Sequence, residues 1–207
     1  MFVGKRMTKN LIVAAPGDTL KRAADLLADN RVHRLPVVKD GRLVGIVSDS
    51  DIRNAAVRDT APGDTPGART VGEIMTREVI TVTPWDTVED ALLVLQKKRL
   101  GSLPVVDANR VVGIITKADV LAALIETLDI EGIGSRIEII LPRDPGSLRK
   151  LVDLIGGKGI EIRSLVLAPH GDRFAAFLRI VTIDAPAVKA TLKDAGFTVA
   201  ELEDFLG

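Results

Sequence analysis

The sequence predicts a mixed protein, α/β in its first two thirds and α+β in its last: two β-α-β-β-α units in tandem, then a β-α-β-β-α-β segment. Three observations predict it. Residues 7–52 recur at 75–120 with a constant offset of 68 and no gap. Two glycines, Gly132 and Gly134, break an apolar helical pattern. Beyond them a fresh alternation of strand and helix patterns begins.

The repeat runs through turns, strands and helices alike. Met7-Thr8 matches Met75-Thr76, Ile12 matches Ile80, and Pro16 with Asp18-Thr19 matches Pro84 with Asp86-Thr87. Arg31 matches Arg99, and Leu35-Pro36-Val37-Val38 matches Leu103-Pro104-Val105-Val106. Within each unit the first strand is expected at 11–13 (79–82 in the second copy). A turn then places Asp18 or Thr19 as the cap of a helix over 20–30, where Leu20, Ala23, Ala24, Leu26 and Leu27 have helical spacing. The Leu-Pro-Val-Val run reads as a strand with proline at its start, where a missing N–H is tolerated. Asp40-Gly41 signals a hairpin, and Ala108-Asn109 is its weaker copy.

The strand that follows ends in Ser48, with Asp51 three residues on, and a helix over 52–57. Its copy ends in Thr116 with Asp119. A hydroxyl and a carboxylate thus stand where a strand meets a helix N-terminus, whose free N–H groups and dipole favour an anion. Two readings stay open: an ordinary capping pair, or a polar grip on a ligand. Residues 58–69, rich in proline and glycine, read as a linker.

The Met-Thr lead, the Leu-Pro-Val-Val strand and the Gly-Ile-x-[Ser/Thr]-x-x-Asp ending, each present twice, resemble the CBS domain, and the tandem resembles a CBS pair, or Bateman module. The resemblance implies a cleft between the copies that takes an adenine nucleotide or S-adenosylmethionine. On it, Ser48, Asp51, Thr116 and Asp119 would hold ribose and phosphate. Val13, Ile80 and the pairs His33-Arg34 and Gly101-Ser102 would line the adenine. The family often has arginine just before the motif aspartate, where this chain has Ser50 and Ala118. Arg53 in the first copy and Lys117 in the second are the substitutes expected for it.

In the last third, strands are expected at 136–141, 160–167, 174–182 and 197–202, with helices at 148–155 and 185–195. That order is ferredoxin-like. The Asp144-Pro145-Gly146-Ser147-Leu148 turn and the glycine before Ile160 resemble an ACT domain. The resemblance implies edge-to-edge pairing into a homodimer and an amino-acid site at Asp144, Gly146, Ser147 and Leu148. The family's aspartate position is held here by Arg143. Domain limits are expected at 1–57, 70–128 and 135–207. The combination resembles the acetoin-utilisation type of bacterial CBS-ACT proteins.

Composition narrows the function. Lys plus Arg equals Asp plus Glu at 28 each, and aromatic residues are 3% with no tyrosine, which does not suit a nucleic-acid surface. Absence of cysteine removes disulfides, thiolate metal sites and cysteine nucleophiles. No apolar stretch reaches the length of a membrane span, so a cytoplasmic protein with no membrane partner is expected. Two histidines, His33 and His170, assemble no triad or metal spacing, and His33 reads as a loop residue beside a cleft. No enzyme, cofactor or metal is expected. The function expected is regulatory ligand sensing passed to a protein partner; the alternative is a dimerising scaffold whose ligand sites are vestigial.

Overall fold

The computed structural model describes residues 1–58 and 69–201. The expected linker lies almost wholly outside them, as do Leu202 of the expected last strand and the rest of the third segment. Two compact units form, Met1–Ala123 and Leu124–Gly207. The division falls within a helix, ahead of the Gly132–Gly134 pair.

In the first unit each copy is a helix, a hairpin and a helix. Copy one has α1 (Leu20–Asp29), β1 (Arg34–Lys39), β2 (Arg42–Ser48) and α2 (Asp49–Arg58). A short α3 (Val71–Ile74) leads into copy two, with α4 (Val88–Lys97), β3 (Ser102–Asp107), β4 (Arg110–Thr116) and α5 (Lys117–Thr127). Thr19 and Thr87 cap α1 and α4, accepting hydrogen bonds from the Arg22 and Asp90 N–H groups at 3.2 and 3.0 Å. Such a cap contributes about 1 kcal/mol. The hairpin residues Asp40 and Gly41 have φ of 52° and 76°, and Ala108 and Asn109 have 44° and 63°. Two consecutive positive values match the twist of the flanking strands.

The expected strands at 11–13 and 79–82 are not strands. Only Ala14 and Val82 bridge, in parallel, to Val37 and Val105 of their own copies. The residues before them serve the opposite copy. Thr8 bridges to Ile114, and Thr76 bridges to Ile46. Met7 therefore lies against Gly113 and Met75 against Gly45, in the space a Cβ would fill. Each lead segment starts on the other copy's hairpin and crosses back to its own. A segment that changes partners within a few residues has no room for a ladder.

The second unit holds β5 (Ser135–Pro142), α6 (Pro145–Gly157), β6 (Glu161–His170), β7 (Arg173–Val181), α7 (Ala185–Asp194) and β8 (Thr198–Val199). The four strands form one antiparallel sheet in the order β6-β7-β5-β8. Alternate residues Ile137, Ile139 and Leu141 of β5 pack with Leu151 and Ile155 of α6 and with Val188 and Leu192 of α7. That is period two meeting period 3.6 across one core. The last strand is shorter than expected. Gly132 is held in place, its carbonyl accepting from Arg179 Nη1 at 2.6 Å.

Glu201, just after β8, is clamped by Lys193 and Lys189 of α7 at 2.8 and 2.9 Å. Hydrogen bonds from the two ammonium groups hold its carboxyl down at about 2. A depressed carboxylate stabilises the fold above its unfolded pKa, and that contribution is lost as pH falls through the folded value. Wild type should therefore melt above Glu201→Gln at pH 6. The gap between the two melting temperatures should close between about pH 4.5 and about pH 2. A gap independent of pH would remove the clamp.

Candidate functional site

The exchanged leads build two clefts in the first unit. One, of about 240 Å³, joins Ser48 and Asp51 of copy one to Thr76, Glu78, Ile80 and Ser102 of copy two. The other, of about 500 Å³, joins Thr116 of copy two to Thr8, Asn10, Ile12, His33 and Arg34 of copy one. They are related by the repeat offset, so a ligand in either touches both copies. Sequence reasoning missed Thr8, Asn10, Ile12, Thr76 and Glu78. The repeated Met-Thr lead was the signal, but local pattern does not show which copy a segment lies on.

At each strand-to-helix junction the hydroxyl and carboxylate face each other. Asp51 Oδ2 accepts from the Ser48 N–H at 2.8 Å and from Ser48 Oγ at 2.6 Å, and the Asp51 N–H donates to Ser48 Oγ at 3.2 Å. Thr116 and Asp119 repeat this at 2.8, 2.7 and 3.2 Å. These are reciprocal caps, the bland reading of the motif made real. They do not exhaust the groups. Oδ1 of each aspartate takes no hydrogen bond among the described residues, so it can accept from a ligand hydroxyl.

Three expected site residues stand elsewhere. Arg53 lies two residues after Asp51, which is about 200° around a helix. It therefore turns away, pairs with Asp49 at 3.0 Å, and lines a separate apolar groove with Leu27 and Ile52. Its guanidinium hydrogen bond holds the Asp49 carboxyl below the usual range. Lys117, two residues before Asp119, is exposed and outside the Thr116 cleft for the same reason. Val13 is absent from both linings, while Ile12 takes the place matching Ile80. Asp119, a fourth, is also outside both linings and reaches the larger cleft only through its hydrogen-bond partner Thr116. The remaining expected residues converge. Arg34 and Ser102 line both clefts, and His33 and Gly101 line the larger. The Arg34 guanidinium lies over Gly101, where any Cβ would collide with it. His33 is largely exposed, its Nδ1 3.8 Å from Asp49 Oδ2.

In the second unit Asp144 caps α6. Its Oδ1 accepts from the Ser147 N–H at 2.8 Å, and Ser147 Oγ donates to its Oδ2 at 2.6 Å. Those bonds push the Asp144 carboxyl down. The helix N-terminus there already holds an anion. Arg143 stacks on Phe174, 4.9 Å from the ring centre. Among the described residues no three acidic or histidine groups gather as metal ligands, and no helix is long and apolar enough to cross a membrane.

A paired fold with two inter-copy clefts and helix N-termini beside them defines a class of tandem α/β module. The family model for the CBS domain matches residues 3–58 and 71–126, more than half the chain. The chain belongs to the CBS domain family and carries the domain twice. It is 40% identical over 123 residues to the uncharacterised protein MJ1225 of Methanocaldococcus jannaschii, matching 56% of this chain and 44% of that one. The chain thus spans less than half the length of that relative. Among solved structures, the CBS pair of protein MJ0100 in complex with 5-methylthioadenosine and S-adenosyl-L-methionine superposes with a TM-score of 0.53 at 32% identity, covering 60% of this chain and 95% of that one. CBSX2 in complex with AMP gives a TM-score of 0.53 at 32% identity, covering 60% and 96%. Several relatives are named for CBS domains alone, while others are enzymes of which the matched region is a small part.

Proposed function

We propose that this protein is a regulatory sensor that binds an adenosine-containing ligand between its CBS copies. The observation that carries the reading is the pair of clefts. Each sets a capped hydroxyl, Ser48 or Thr116, opposite an apolar lead from the other copy, and Asp51 lines its cleft while Asp119 stands behind Thr116. The carboxylate suits ribose hydroxyls, and Ile12 or Ile80 suits a purine face. MJ0100 and CBSX2, bound to S-adenosylmethionine, methylthioadenosine and AMP, support the ligand class. The binding residues on this reading are Ser48, Asp51, Ile80, Arg34, Ser102, Gly101, His33, Thr116 and Asp119.

The second unit acts as an ACT domain, on its β-α-β-β-α-β order and sheet order. Its role is homodimerisation rather than amino-acid capture, because Asp144 already occupies the helix N-terminus a ligand carboxylate would need. The functional divisions follow 1–57, 70–128 and 135–207. The protein is not an enzyme; it works in the cytoplasm, and ligand binding changes its fit to a protein partner, as in the acetoin-utilisation type it resembles. Such regulation requires that ligand bind two conformations unequally.

The test is thermal melting of the protein with AMP, ADP, ATP, S-adenosylmethionine, NAD and the common amino acids. At 100 times its dissociation constant a ligand specific for the folded state adds about 2.7 kcal/mol. We expect an adenosine compound to raise the melting temperature and the amino acids to leave it unchanged. Unchanged melting across the whole panel would give preference to a dimerising scaffold with vestigial sites.

A further inference from the structure

The two clefts are copies in sequence but not in charge. Asn10 stands in the Thr116 cleft where Glu78 stands in the Asp51 cleft, and His33-Arg34 stand where the other copy has Gly101-Ser102. The lining of the Thr116 cleft carries two arginines, Arg31 and Arg34, and no carboxylate. Asp119 bonds Thr116 just as Asp51 bonds Ser48, but it is outside the lining. The lining of the Asp51 cleft carries two carboxylates, Asp51 and Glu78, against one cation, the same Arg34. The clefts also differ in size, about 500 against about 240 Å³.

Both arginines are uncommitted. Neither Arg31 nor Arg34 makes an ion pair among the described residues, while Arg22, Arg53, Arg149 and Arg163 all do. Between the clefts lies a second sign of an absent polar partner. Ser102 is only 6% exposed, lines both cavities, and its Oγ has no hydrogen-bond partner among the described residues. Buried hydroxyls rarely go unsatisfied. A polar ligand group beside Ser102 would complete it.

A phosphate monoester carries about −1.5 to −2 charges at neutral pH. In the Thr116 cleft it would meet two guanidinium groups, each able to give paired hydrogen bonds to phosphate. In the Asp51 cleft it would meet two carboxylates and a guanidinium already shared. We propose that the clefts sort ligands by charge: the Thr116 cleft takes a phosphorylated adenosine ligand, with Arg31 and Arg34 on its phosphate, and the Asp51 cleft takes an uncharged adenosine compound. The proposal rests on the adenosine-sensor reading and adds which cleft takes which ligand.

The test is isothermal titration of the full chain with AMP, then with adenosine on the AMP-saturated protein. We expect one AMP per chain, and one adenosine more after saturation. Arg31→Gln, at an exposed residue whose φ of 52° both side chains meet alike, should weaken AMP about tenfold or more and leave the later adenosine step in place. Glu78→Gln should allow a second AMP per chain, a gain that misfolding cannot mimic. Two equivalent AMP sites in wild type, AMP affinity unchanged in Arg31→Gln, or AMP stoichiometry unchanged in Glu78→Gln would overturn the sorting while leaving the sensor reading intact. Binding of neither compound would overturn both.

Discussion

Leu103→Ala is expected to lower the unfolding free energy of the first unit by about 2–5 kcal/mol, the usual cost of emptying a buried leucine site. Leu103 is fully buried near the start of β3, opposite Ile115, which is also fully buried. Its immediate neighbours are constrained, Ser102 by burial beside the clefts and Pro104 by its ring, so the strand has little freedom to collapse into the void. Urea denaturation followed by far-ultraviolet circular dichroism measures the effect as a fall in midpoint. Val57→Ala, at a residue 73% exposed, serves as the control and should stay within about 0.5 kcal/mol. Equal effects at the two positions would contradict the burial described for β3.

Gly113→Val should have the largest effect on binding. A Cβ at Gly113 would run into Met7 Sδ and Cγ, and Met7 Cβ itself is 3.1 Å away. A bulkier side chain costs about 1–3 kcal/mol in such a site, or else displaces its neighbour. The neighbour is the lead that carries Thr8, Asn10 and Ile12 into the Thr116 cleft. AMP affinity should fall about tenfold or more in this variant. Gly45→Val, which presses on Met75 in the same way, should disturb the Asp51 cleft and leave AMP binding in place. Titrations with AMP on the two variants decide the matter, since matching losses would show that the leads do not serve separate clefts.

Much of this fold was legible in the chain. The gapless repeat gave two equal units, and cap and turn residues such as Thr19 and Asp40-Gly41 put the first helix and hairpin within a residue or two of their places. In the last third α6 starts three residues before the expected 148 and runs two past 155, because Asp144 caps it ahead of the Pro145-Gly146 pair that reads as a turn. The other errors share a cause. Residues 11–13 have a strand's composition but spend their length passing between copies, a tertiary fact with no local period. Arg53 and Lys117 are near their aspartates in sequence and across the helix from them in space. The arginines that do reach a cleft, Arg31 and Arg34, precede the Leu-Pro strand of the opposite copy. Only the resemblance to a CBS pair pointed to Arg34, while Arg31 showed only as a repeated residue, matching Arg99, with no cleft assigned to it.

The exchanged leads also bear on how such a chain could have arisen. Each copy lacks the piece of chain that covers its own hairpin glycine and lends its piece to the other. A single copy standing alone would leave both an unclad hairpin and a stray lead, and two separate copies would satisfy each other reciprocally. Joining them in one polypeptide replaces a concentration-dependent encounter with a fixed local one. Once joined, the halves no longer need to match, because each lead meets only one hairpin. Glu78 and Asn10, or Ser102 and Arg34, could then diverge, which identical subunits around a two-fold axis could not do.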